Sequence, residues 1–323
     1  MFYALRAGFS RLRHGLGLVL VVFAVNLGLA AVLAVPLFHL VEGSLRHRDA
    51  AEANLYGFDA SWHGAFKDGQ TGWARDFGPE VFGAGFAFRN LELLLRGHLP
   101  AGLFAGPDEE DGPSVDAVVL GLGLVYLLLQ TFLAGGLIGV FRTERSPFTL
   151  RGLLHGSGFY FGRLCRVALV GLLLAWLVFC LNAPFARWAD SMARDSVSET
   201  SALAWSLGRH LLLLLGLLLV SLVSGYAKVI LVVEERSSAL LAWVSAAGFC
   251  LRQAPAVVGH YLCVALAGLV AVALWARIDG LWVTTGYWTQ SVAFLLMQGL
   301  VAFRIALRLG LLAGQAALFR RSP

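Results

Sequence analysis

The stretch Leu207-Gly-Arg-His-Leu-Leu-Leu-Leu-Leu-Gly-Leu-Leu-Leu-Val-Ser-Leu-Val-Ser-Gly-Tyr-Ala-Lys-Val-Ile-Leu-Val-Val233 carries two charges in 27 residues, and both stand near its ends. At 1.5 Å per residue a helix of this length covers about 40 Å, more than the ~30 Å hydrocarbon core of a bilayer. Five other apolar runs are long enough to cross as well, at residues 16–37, 117–141, 167–185, 256–275 and 288–312. The fold this predicts is all-α: a polytopic bundle of six transmembrane helices, one membrane domain over residues 1–323.

Composition points the same way. The chain is 58% hydrophobic and only 14% charged, with a mean hydropathy of +0.74, whereas soluble domains carry roughly 25% charged residues. A water-facing surface cannot absorb so much apolar area, so the bilayer is part of the solvent. The net charge of +5 is read as basic residues holding cytoplasmic loops at the membrane, and nucleic acid is not an expected partner. The four cysteines, Cys165, Cys180, Cys250 and Cys263, lie in or beside apolar runs without metal-ligand or disulfide spacing, and read as small buried residues. The first run begins with Arg6, Arg11 and Arg13, but it is long for a signal peptide and lacks a small-residue cleavage site, so it is read as a retained span.

Arginine and lysine placement sets the expected orientation. With the N-terminus inside, fifteen basic residues fall in inner segments, Arg304 and Arg308 counted among them, against four in short outer loops. That predicts both termini in the cytoplasm of a bacterial inner membrane. Residues 39–116 then form a long outer loop with six basic and thirteen acidic residues. Its many aromatics argue against a pure linker and predict short surface helices, one at residues 87–96. Residues 106–113 read as an acidic turn.

A weak repeat precedes the first, third and fifth runs. Gly8-Phe9, Gly158-Phe159 and Gly248-Phe249 are each followed within a few residues by an arginine. Phe2, Leu5, Phe9 and Leu12 share a helical face, as do Leu240, Val244, Ala247 and Leu251. Ser146-Pro147 and Ser237-Ser238 stand where an N-cap belongs. The expectation is three units, each an amphipathic elbow helix in the interface followed by a transmembrane hairpin.

Tyr126-Leu-Leu-Leu-Gln-Thr-Phe-Leu-Ala-Gly-Gly136, Phe161-Gly-Arg163, Tyr226-Ala-Lys-Val229 and Glu235-Arg-Ser-Ser-Ala-Leu240 carry a resemblance. Over residues 115–270 the chain resembles bacterial six-span proteins of unassigned function, distantly similar to the membrane domain attached to some glycerophosphodiester phosphodiesterases. Those enzymes hold catalysis in a separate soluble domain, so the resemblance implies a fold and no activity.

No nucleophile, nucleotide or H-E-x-x-H motif is present, and His63, His98 and Asp59 lack regular metal spacing. Neither a cofactor nor an enzymatic function is expected. Three features remain. Asn26, Gln130, Thr131, Asn182, Ser221, Ser224 and Gln298 sit inside apolar runs and read as interhelical hydrogen-bond formers; Asn26, Gln130, Asn182 and Gln298 could alternatively line a polar cavity. Arg163, Arg166, Lys228, Glu234, Glu235, Arg304 and Arg308 form a charged inner set. It is expected to pair Glu234 or Glu235 with Arg304, or to receive anionic headgroups on Arg163, Arg166, Arg304 and Arg308. Gly135/Gly139, Gly152/Gly156 and Gly158/Gly162 have the small-x-x-x-small spacing of close helix contacts. The expected function is a non-enzymatic scaffold or accessory subunit that binds lipid or another membrane protein. The alternative is a small-molecule or lipid transporter or channel.

Overall fold

The computed structural model describes residues 2–13, 16–46, 59–76, 117–142, 149–281 and 286–321. Regular structure among them is helical throughout: α1 (Phe2–Arg13), α2 (Leu16–Leu45), α3 (Ala60–Asp68), a short 3-10 turn (Gly72–Asp76), α4 (Ala117–Arg142), α5 (Leu150–Arg194), α6 (Glu199–Val233), α7 (Ala239–Arg252), α8 (Ala254–Leu281) and α9 (Tyr287–Arg321). Six of these, α2, α4, α5, α6, α8 and α9, are long and apolar enough to cross a membrane. Each predicted run lies inside one of them. Their apolar side chains also face outward: Leu169, Leu173, Leu181, Leu211, Leu215, Leu266 and Leu295 are more than half exposed. Lipid tails tolerate that surface and water does not.

Helix ends differ from the hydropathy reading. α2 continues through Pro36 to Leu45, and its last turn carries the Glu42–Arg46 ion pair at 3.0 Å. The outer loop expected from residue 39 therefore begins after a charged extension of the helix. A short helix does follow: Asp59 caps α3 by accepting from the amides of Ser61 (2.9 Å) and Trp62 (3.1 Å). Trp62 and Phe66 are buried and stacked, and the Trp62 indole donates to Ser44 Oγ at 3.2 Å, which ties α3 to the end of α2. The segments expected at 87–96 and 106–113 lie outside the described residues.

The three elbow segments are not alike. α1 and α7 are separate helices, whereas the second segment is the first part of α5, one continuous helix of 45 residues. Thr149 caps α5 through Gly152 N at 3.2 Å; Ser146-Pro147 falls outside the described residues. Ser238 caps α7 as its spacing predicts, and α7 ends at Gln253 just before Pro255 opens α8. The Gly-Phe pairs occupy three environments. A methyl at Gly8 would meet the Gly310 carbonyl at 2.5 Å, Gly158 has open space, and Gly248 faces only its own Arg252.

The chain falls into two compact units. One comprises Met1–His14, Leu128–Cys263 and Leu309–Pro323; the other comprises Gly15–Leu127 and Val264–Arg308. The first holds the densest packing, built on backbone-to-backbone approaches that only glycine permits. A methyl at Gly136 of α4 would stand 2.2 Å from the Leu153 carbonyl of α5, and one at Gly156 would stand 3.2 Å from Gly136 Cα. Gly135 approaches Tyr160 and Leu164, and Gly216 of α6 approaches Val178 of α5. Gly139 and Gly162, by contrast, face open space. The contact therefore runs through adjacent Gly135 and Gly136 rather than along the four-residue spacing. α7 is held against α5 by Trp243, whose indole donates to the Val167 carbonyl at 3.2 Å beside Gly171.

Candidate functional site

At the C-terminal end of α4, in the first unit, four arginines converge. Arg11 donates to the carbonyl of Phe141 at 2.8 Å, and Arg320 to the carbonyl of Arg142 at 2.6 Å. These carbonyls lie in the last turn, where helix geometry leaves no amide to bond them and the helix dipole favours cations. Arg142 itself pairs with Glu235, and Arg163 donates to the Glu235 carbonyl at 3.4 Å while stacking 5.2 Å from the Phe159 ring centre. The arginine beside it holds the Glu235 carboxyl below the usual carboxylate range.

Glu235 occupies a backbone position that normally asks for glycine. Its φ is +54°, and the following amide of Arg236 bonds back to the Leu231 carbonyl at 3.0 Å, closing α6 in the left-handed cap pattern. The side chain that makes this residue more than a cap is the one that reaches Arg142. Glu234, next to it, pairs with Arg236. The pairing expected between Glu234 or Glu235 and Arg304 is thus replaced by local partners, because a tight helix cap points the two carboxylates along the end of α6. Of the charged inner set, Arg163 joins this cluster, Arg166 is exposed on α5, and Lys228 is half-buried on α6.

Arg304 and Arg308 stand elsewhere, in the second unit. Arg304 is the central residue of the 35-residue α9, and Arg308 lies one turn beyond it on the same face; both are exposed. The helix runs about 26 Å from Arg304 to either end. Two contacts place neighbouring helices beside this stretch. Leu307 packs against Gly268, fourteen residues into the 28-residue α8. Arg308 Nη1 reaches the Tyr126 hydroxyl at 3.5 Å, nine residues into the 26-residue α4. α9 continues for thirteen residues past Arg308, with no charge until Arg320. Arginine side chains on a helix that crosses lipid are costly to leave unmet by water or an anion.

The polar residues expected inside spans are divided between the two units. Asn26 and Gln298 belong to one unit, Gln130 and Asn182 to the other. The Asn26 amide bonds its own helix, to the Val22 carbonyl at 2.7 Å. More deeply buried polar groups had escaped notice: Ser157, Tyr226, His260 and Gln315, all in the first unit. Gln315 lies against Gly225, and His260 Nε2 meets the Leu311 carbonyl at 3.3 Å. A single histidine in the fifth run was the signal that could have flagged this layer. Asp59, considered as a metal ligand, is spent on capping α3.

Comparison with family models, with curated proteins and with solved structures finds no match, so the residues and geometry above are the ground on which a function is argued.

Proposed function

We propose that this is a non-enzymatic multi-pass protein of the bacterial inner membrane, with both termini cytoplasmic, whose inner face binds anionic lipid headgroups and thereby serves as a membrane scaffold or accessory subunit. The observation that carries the reading is the convergence of Arg11, Arg142, Arg163 and Arg320 on one helix end, with Glu235 as the carboxylate among them. Such an excess of guanidinium groups at a membrane surface suits phosphate recognition. α7 supports it. Its 14 residues span only about 21 Å, too short to cross, and it exposes Leu240, Leu241, Val244 and Leu251 while packing Trp243 and Phe249 inward. A helix apolar on its free face, with Arg236 before it and Arg252 at its end, fits the boundary between headgroups and acyl chains. Even without Arg304 and Arg308, thirteen inner basic residues against four favour this orientation.

The test is native mass spectrometry of the full chain released in mild detergent from membranes containing phosphatidylglycerol. Retained anionic lipid should fall by about tenfold when Arg163 and Arg166 are both changed to Gln, the equivalent of one charge-assisted phosphate contact. Retention that ignores these residues removes the reading. A second reading, transport of a small molecule or lipid, is favoured by Arg304 and Arg308, exposed on the long apolar helix α9.

A further inference from the structure

Arg304 and Arg308 pose a charge-balance problem. α4 and α9 contain no Asp or Glu, and the carboxylates of the other spans, Glu42, Asp190, Glu199 and Asp279, all stand within four residues of a helix end. No carboxylate of a span is thus level with the two arginines. What lies beside Arg308 is a hydroxyl, that of Tyr126, itself 41% exposed. Arginines at i and i+4 project from one face about one helical turn apart, a spacing from which two guanidinium groups can hold one oxyanion.

We propose that Arg304, Arg308 and the Tyr126 hydroxyl form an oxyanion site on the exposed faces of α9 and α4, built for a phosphate group. The two guanidinium groups supply charge and paired donors, and the tyrosine hydroxyl adds a donor on the opposite helix. The same phosphate chemistry can be presented by a free anion or by a lipid headgroup, and the experiment separates them. The site is independent of the inner arginine cluster: it shares no residue with it, and either can fail alone.

The full chain is placed in nanodiscs of phosphatidylcholine and titrated with radiolabelled inorganic phosphate. In parallel, nanodiscs containing phosphatidylglycerol are analysed by native mass spectrometry for retained lipid. Phosphate binding in the neutral discs, weakened about tenfold or more by Arg304→Gln and by Arg308→Gln, marks a site for a free anion. Phosphatidylglycerol retention lost in these variants but kept when Arg163 and Arg166 are replaced marks a site for a lipid phosphate. Arg308→Lys should restore part of the binding, since a point charge remains while the paired donors are lost. Tyr126→Phe removes one hydroxyl from an accessible position and should weaken binding about three- to tenfold without disturbing insertion. It decides the matter should the glutamine variants not fold. The proposal is overturned if neither probe binds, or if binding is the same in wild type, the glutamine variants and Tyr126→Phe.

Discussion

Replacing Gly136 by alanine should weaken the first unit, while the same change three residues later should not. A methyl at Gly136 would lie 2.2 Å from the Leu153 carbonyl oxygen, 2.5 Å from Ser157 Oγ and 2.9 Å from Leu153 Cδ1. Side chains can swing aside, but the carbonyl belongs to the backbone of α5, so α4 and α5 must part by about 1 Å to restore van der Waals distance. Such overpacking costs roughly 1–3 kcal/mol, and a clash with backbone belongs at the upper end. Alanine recovers up to about 1 kcal/mol of helix propensity, leaving a net loss of about 1–2 kcal/mol. At Gly139 a methyl meets nothing within 4 Å, so only the propensity gain applies. Unfolding in mild detergent can be followed with a thiol-reactive fluorophore, since Cys250 is buried; a Cys180→Ser background removes the exposed thiol. For a chain of this size, where 1 kcal/mol moves the midpoint by about 1.5 °C, the two variants should melt roughly 3–5 °C apart, Gly136→Ala lower. If they melt within a degree of each other, the close approach of α4 and α5 at Gly136 is wrong, and with it the packing that positions the arginine cluster.

Other outcomes follow from single contacts. Trp243→Phe deletes the donor to the Val167 carbonyl and shortens a buried side chain packed on Gly171, and should lower stability by about 1–3 kcal/mol in the same melting assay. Glu235 offers a pH test. Arg142 lowers its carboxyl pKa in the folded chain, so its contribution is present above the unfolded carboxylate value and is lost as pH falls through the folded one. The melting difference between wild type and Glu235→Gln should hold steady at neutral pH and shrink in acid once the pH falls below the ordinary glutamate value of about 4.3. In an Arg142→Gln background, Glu235→Gly should raise the melting temperature by relieving the left-handed backbone. With Arg142 intact the gain should be smaller or reversed; equal gains in both backgrounds would show that the ion pair contributes nothing. That pair is solvent-accessible, with side chains 39% and 56% exposed, so the difference should be modest.

Transmembrane helices are legible because lipid solvation is written residue by residue into hydropathy, and all six runs lie within helices. Helix extent is less legible, since hydropathy measures transfer to lipid and not the continuity of backbone hydrogen bonds. Nothing between Leu150 and Pro184 breaks α5, so the expected elbow and its span are one helix. Between Arg252 and Pro255 the proline does make a break, and there the elbow is a separate helix. Glycine spacing misled for a related reason. Which glycine is contacted depends on the angle and height at which α5 crosses α4, and Gly135-Gly136 meets α5 where the spaced pair Gly135/Gly139 would not. The carboxylates were placed at the right end of α6, but their partners were not, because a cap with one residue at positive φ aims two adjacent side chains in directions no linear pattern records.

The arginines of α9 show how depth, unlike span identity, has to come from contacts between helices. A hydropathy window tolerates two charges among many leucines, and a run ending in arginines looks like a span meeting its interface. The residues past Arg308 correct this. Leu309, Gly310, Ala313, Gly314, Ala316 and Ala317 are all buried, so this portion is a packed helix and not a surface tail. Gly8 against Gly310 and Gly225 against Gln315 explain why it is small and apolar, for it is the face on which α1 and α6 close. Two arginines one turn apart on the exposed face of a long apolar helix, beside the Tyr126 hydroxyl, are the arrangement expected of a site that meets a charged ligand, rather than of a helix that merely ends.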